Sequence, residues 1–216
     1  GDQLDLHSFP TRRSSDLYDG LSFCDVDGIK KLIGFAPAGA ITLLHDEMTI
    51  CSVPENDALG LVTQLMIRYL TGQVGAYLEF YELLEDGALM GVPDYVPAAI
   101  VEGQVTVMPN AFGSFGEGLL NVSKLKTGEV TVARLGQGRE GYGLHVATGE
   151  ARQAMAWEEA GWAPPAPQLP SLEVIFGRPI EPFVQKVLGQ HYFLSYGRQG
   201  EALRDLCSIL KIAMVE

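Results

Sequence analysis

"MTICSVPENDALGLVTQLMIRYLTGQVGAYLEFYEL", Met48–Leu83, holds three kinds of local order in one uninterrupted run. Met48–Val53 is apolar and β-branched, between acidic residues and Pro54, which is the pattern of a buried strand. Asn56 or Asp57 can cap the next segment, in which Ala58, Val62, Leu65, Met66, Tyr69 and Leu70 recur at helical spacing until Gly72 stops the run. "AYLEFYEL", Ala76–Leu83, then alternates and is aromatic, so it reads as a second strand. Strand, helix and strand in this order predict a right-handed βαβ unit with its strands parallel in one sheet. Gly20–Thr42 is expected to add an earlier part of that sheet.

Beyond about residue 86 the texture changes. "GQVTVMPN", "LLNVSKLKTGEVTVARL" and "GYGLHVATGEA" are short strand patterns spaced by glycine-rich turns, a meander of the barrel or sandwich kind. Ala163–Pro170 is proline-rich and reads as an extended connector. "PIEPFVQKVLG" predicts a short helix and "HYFLSYG" a strand. Leu203, Leu206, Cys207 and Leu210 mark a closing helix. The fold class expected is therefore α/β plus β, with residues 18–86 forming the α/β part and residues 87–216 the β-rich part.

His7–Leu17, "HSFPTRRSSDL", belongs to neither part. It lacks the apolar segment of a signal peptide, and Asp2, Asp5 and Asp16 argue against a transit peptide. It resembles the conceptual translation of a common short-read sequencing adapter. Residues 1–17 are accordingly set apart as a non-native, disordered segment, and the chain is expected to be a fragment of a longer protein.

The net charge of −12 provides no basic stripe for a phosphate backbone, which makes nucleic acid a poor partner. No apolar run approaches the roughly 20 residues of a membrane helix. Cys24, Cys51 and Cys207 are odd in number and far apart, which suits a reducing, cytoplasmic setting better than a disulfide framework.

The candidate chemistry lies near the strand ends. Glu55 follows the first strand and Glu79 sits in the second. Ligands of open α/β sheets bind outside the carboxyl ends of the strands, and neighbouring strands stand about 4.8 Å apart. Two carboxylates brought together there repel unless a cation or a shared proton compensates. The plainer alternative makes Glu55 an anion favoured by a helix N-terminus and Glu79 an edge-strand charge. His191 opens an apolar strand, where a packed or solvated role is the plain reading. His45 has a weaker claim, and His145, on an alternating strand, is expected to face solvent. Gly136, Gly138, Gly141 and Gly143 lie between two strands and read as turn residues, not a phosphate cradle.

Taken together, "CSVPENDALGLVTQLMIRYLTG", "AYLEFYELLEDGALMG" and "GQHYFLSYGRQGEALRDLCSILKI" resemble, in order and spacing, the L-fucose/L-arabinose isomerase family. The resemblance covers about residues 25–216. It implies the end of a Rossmann-like domain followed by a small β-barrel domain of that family's carboxyl-terminal type. In the family a glutamate, an acidic residue and a histidine from these three segments hold a divalent cation, usually manganese, and the matching positions are Glu55, Glu79 and His191. Two carboxylates and an imidazole suit Mn²⁺ or another divalent cation. The resemblance further implies interconversion of an aldose and a ketose through an enediol, on a small-molecule sugar such as a deoxyhexose or pentose, with Glu55 and Glu79 sharing the acid–base work. It also implies a homo-oligomeric parent protein. One departure stands out: Val92 and Pro97 occupy places where relatives often carry histidines, in "MGVPDYVP", Met90–Pro97. Asp94 or Tyr95 is a candidate to face the sugar there, with a plain loop as the favoured reading. A sugar-binding relative without catalysis and a metal-free structural module are the alternatives.

Overall fold

A computed structural model describes residues 18–92, 95–108, 118–138, 141–155 and 169–216. The chain begins with a short strand β1 (Gly20–Ser22), a π-helical turn (Asp25–Lys30) running into α1 (Lys31–Ile33), then α2 (Ala38–Asp46), β2 (Cys51–Val53) and α3 (Ala58–Thr71). Six strands after these close on one another: β3 (Ala76–Leu83), β4 (Gly87–Gly91), β7 (Gly128–Gly138), β8 (Gly141–Gln153), β9 (Ser171–Ile175) and β10 (His191–Tyr196). Their order is β8-β7-β10-β3-β4-β9, and β9 returns to pair with β8, so the sheet is a closed antiparallel barrel. Closure leaves these strands without a free edge. The short pair β5 (Val107–Met108) and β6 (Leu120–Asn121) lies outside it, α4 (Glu181–Val184) precedes β10, and α5 (Gly200–Leu210) leads to β11 (Ala213–Val215), which adds in parallel to β8.

The barrel interior is the one apolar cluster to which all six strands contribute. Leu78, Met90, Val132, Ala147, Leu172 and Leu194 are members, each fully or almost fully buried. The outer face of β3 and β10 is buried as well. Tyr77 and Phe193 pack there against Ala38, Ile41, Val53, Ile67 and Tyr95. A third cluster seats α3 and α5 on β7 and β8 through Met66, Ala133, Leu135, Leu144, Leu203 and Cys207. Among the described residues, no helix is long and apolar enough to cross a membrane.

The strand–helix–strand order of Met48–Leu83 is present, but its pairing differs from the parallel βαβ expectation. β2 pairs in parallel with β1, as the early-sheet reading of Gly20–Thr42 anticipates. β3 instead joins the barrel, antiparallel to β4 and β10. The physical reason lies in α3. Its buried face is Gly60, Thr63, Gln64, Met66 and Ile67, whereas Val62, Tyr69 and Leu70 are exposed. Gln64 donates to the Gly75 carbonyl (3.0 Å) and accepts from the Gly75 N–H (2.8 Å), while the Leu135 N–H donates to Thr63 Oγ1 (2.9 Å). Polar side chains that satisfy barrel backbone, invisible to a hydrophobic-period search, fix where the helix lies.

His145 is a second correction. It is buried, not solvent-facing, and its Nδ1 stands 2.6 Å from the Tyr192 hydroxyl. Alternation normally signals one wet face; β8 is covered on both sides, by the barrel interior and by α5. Residues 1–17, Asp94 and most of the 163–170 connector lie outside the described residues. Tyr95 is not open to a ligand: it is 1% exposed and its hydroxyl donates to the Ser52 carbonyl at 3.0 Å.

Candidate functional site

Glu79 and His191 are direct cross-strand partners, on the outer face of β3 and β10. Alternation puts Tyr77 on the same face, and its ring stacks on the His191 imidazole with centroids 4.3 Å apart and planes 13° from parallel. Glu55 reaches the pair from the turn between β2 and α3. Its backbone is in the left-handed region (φ 61), as is that of Asn56 (φ 54), an uncommon conformation for residues with a Cβ. Two bonds hold that turn: the Glu55 N–H donates to Asp25 Oδ1 (2.6 Å) and the Asn56 N–H to the Phe23 carbonyl (2.7 Å).

The result is a convergence of the three residues singled out in the sequence. The His191 Nε2 stands 3.6 Å from Glu55 Oε2 and 3.5 Å from Glu79 Oε2. His191 is 4% exposed, and its Nε2 is buried without a hydrogen-bond partner. Gln190 donates to Glu79 Oε2 at 3.2 Å. Burial, reinforced by the Asp25 and Glu79 carboxylates and opposed by His191, pushes the Glu55 carboxyl up. The neighbouring imidazole, helped by Gln190 and opposed by burial, holds the Glu79 carboxyl below the usual range. Two carboxyls beside one imidazole are thus driven in opposite directions. An open cleft of about 490 Å³ adjoins Glu55, lined by Cys24, Asp25, Asp27, Glu55 and Asn56.

What sets this nitrogen apart from the other buried histidine nitrogens without a hydrogen bond is the pair of carboxylate oxygens within 3.6 Å of it, a concentration of negative charge that favours a cation. The donor set, one imidazole and two carboxylates partly open to solvent, suits a divalent ion in chemical type. Among the described residues, however, no group of three or more His, Cys, Asp and Glu side chains is placed so that it could hold a metal ion. Both carboxylates converge on the histidine nitrogen; in the arrangement as it stands, the three do not surround a common point.

His45 and His145 have no part in the site. The His45 Nε2 meets the Ser52 backbone, and its ring stacks on Tyr95. Three residues that the sequence reading left unassigned touch the site residues directly: Tyr77, Asp25 and Gln190. The chain matches no family model, and a search of curated proteins finds no significant match.

Proposed function

We propose that this chain carries the cation and acid–base site of an aldose–ketose isomerase of the L-fucose/L-arabinose type. In this reading β1 and β2, with α2 and α3, are the end of a Rossmann-like layer set before the barrel domain of a cytoplasmic, oligomeric enzyme. The observation that carries it is the convergence of Glu55 and Glu79 on the buried Nε2 of His191. Glu55, Glu79 and His191 would hold Mn²⁺ or another divalent cation. Bound there, the cation would polarise the carbonyl and adjacent hydroxyl of an open-chain sugar. One carboxylate takes the proton from the carbon beside the carbonyl, and the other carboxyl returns a proton to the oxygen or the neighbouring carbon. The cleft beside Glu55 offers hydrogen-bond acceptors for the remaining hydroxyls.

The test uses this protein with Mn²⁺ and a panel of pentoses and deoxyhexoses in heavy water. The expected result is exchange of the proton beside the carbonyl for at least one sugar, abolished in Glu55→Gln and Glu79→Gln variants that keep the wild-type fold. Val92 is fully packed where relatives often carry a loop histidine, which favours sugar binding without turnover as the second reading. Tight sugar binding with no exchange for any sugar would decide for it.

A further inference from the structure

The three segments that carry Glu55, Glu79 and His191 come from distant parts of the chain, yet all of them touch one buried ion pair. Asp57, two residues after Glu55, is the N-cap of α3 and accepts from the Gly60 N–H at 2.8 Å. Arg134 of β7 grips the same carboxylate with two nitrogens, Nη2 at 2.8 Å from Oδ1 and Nη1 against Oδ2. The two side chains are 9% and 12% exposed. Tyr77, two residues before Glu79, donates its hydroxyl to Asp57 Oδ2 at 3.1 Å and lays its ring on His191. The guanidinium passes beside Gly189, two residues before His191. A Cβ at Gly189 would stand 2.7 Å from Arg134 Nε, and one at Gly60 would stand 2.9 Å from Nη1 and collide with the Asp57 carboxylate. The chain therefore leaves room for this arginine at both sides where a side chain would displace it.

We propose that Arg134 is a positioning residue for the site, acting through Asp57 on the Glu55 turn, through Tyr77 on the His191 ring, and by direct packing on the Gly189–His191 segment. The inference rests on the cation-site reading above. A forked, planar guanidinium can fix the Asp57 carboxylate in orientation as well as in charge, which an ammonium cannot. The carboxylate so fixed aims the Tyr77 hydroxyl through Oδ2, the oxygen that also accepts from Nη1. The ring of Tyr77 is then held flat against the imidazole, which sets the direction of the Nε2. Supporting partners of this kind typically change metal affinity by roughly ten- to a hundredfold when removed.

The experiment has two arms, both on the full chain. In the metal-free protein, proton NMR follows the ring protons of His191, displaced upfield by the stacked Tyr77 ring. Arg134→Met should reduce that displacement while the remaining spectrum stays that of a folded protein. Calorimetry with Mn²⁺ should show affinity weakened by about ten- to a hundredfold in Arg134→Met and by less in Arg134→Lys, which keeps the charge but not the fork. Should Arg134→Met fail to fold, Arg134→Lys carries both arms. Unmoved His191 resonances, or undiminished Mn²⁺ affinity in a folded variant, would overturn the proposal and leave the cation site standing. Absence of Mn²⁺ binding in the wild type would overturn it together with the reading on which it rests.

Discussion

His45, His145 and His191 are all buried, and they are buried for different ends. Burial pushes His45 and His145 down to about 4, so both are neutral in the folded protein at pH 7. In the unfolded chain they titrate near 6.5, so the unfolded state takes up more protons below that pH. Their contribution to stability is therefore complete above about pH 6.5 and falls away as pH drops towards 4. By pH 5 each should have removed about 2 kcal/mol. Urea denaturation at pH 7.5 and pH 5 measures this. Equal stabilities at the two pH values would mean that neither histidine is held neutral by burial. His191 differs in that the polar groups beside its ring are carboxylates, whereas His45 meets backbone and His145 a phenol. That His191, Glu55 and Glu79 belong together was legible in the sequence through a resemblance, and the fold places them side by side. Their supporting residues were not, because Tyr77 looks like one more alternating aromatic and nothing local ties Arg134 to a helix cap 77 positions away.

At the scale of elements, α3 connects the two parts of the molecule, and its amino end is where the connection is made. Asp57 acts both as helix cap and as counter-ion. Burial works to raise its carboxyl, but Arg134, with the Gly60 N–H and the Tyr77 hydroxyl, holds it below the usual range. Breaking a buried pair from one side leaves the other charge uncompensated, at a cost of about 3–5 kcal/mol. Asp57→Asn should lose roughly that much, because the amide oxygen can still cap α3 but cannot balance Arg134. Asp57→Ala should lose about 1 kcal/mol more as the cap goes too. Urea midpoints provide the comparison, and an Asp57→Asn variant as stable as wild type would show that water already screens the pair. The sequence showed the cap, the helix and both flanking strands at nearly their observed places. It did not show which strand pairs with which. Hydrophobic periodicity reports burial, and the start of β3, Ala76, Tyr77 and Leu78, is buried on both faces whichever strands it pairs with.

At the scale of the whole molecule, the barrel matters because it sets His191 opposite Glu79 by strand register, while β1, β2 and the π-helical turn bring Glu55 over the same face. The β-rich character of the later chain was legible from its turn spacing; closure was not, since it depends on the β8–β9 pairing across residues far apart in sequence. A site assembled from a turn, an inner barrel strand and the start of another strand is sensitive to how these parts meet, which makes cation binding the sharpest probe of the proposed site. Titration of Mn²⁺ into the metal-free chain by calorimetry, for wild type and for Glu55→Gln, Glu79→Gln and His191→Ala, is the decisive measurement. One saturable site is predicted in the wild type, adding about 2.7 kcal/mol of stability at 100 times its dissociation constant. Each substitution should weaken it sharply. Absence of saturable binding in the wild type, or an undiminished affinity in His191→Ala, would contradict the assignment of Glu55, Glu79 and His191 as a common cation site.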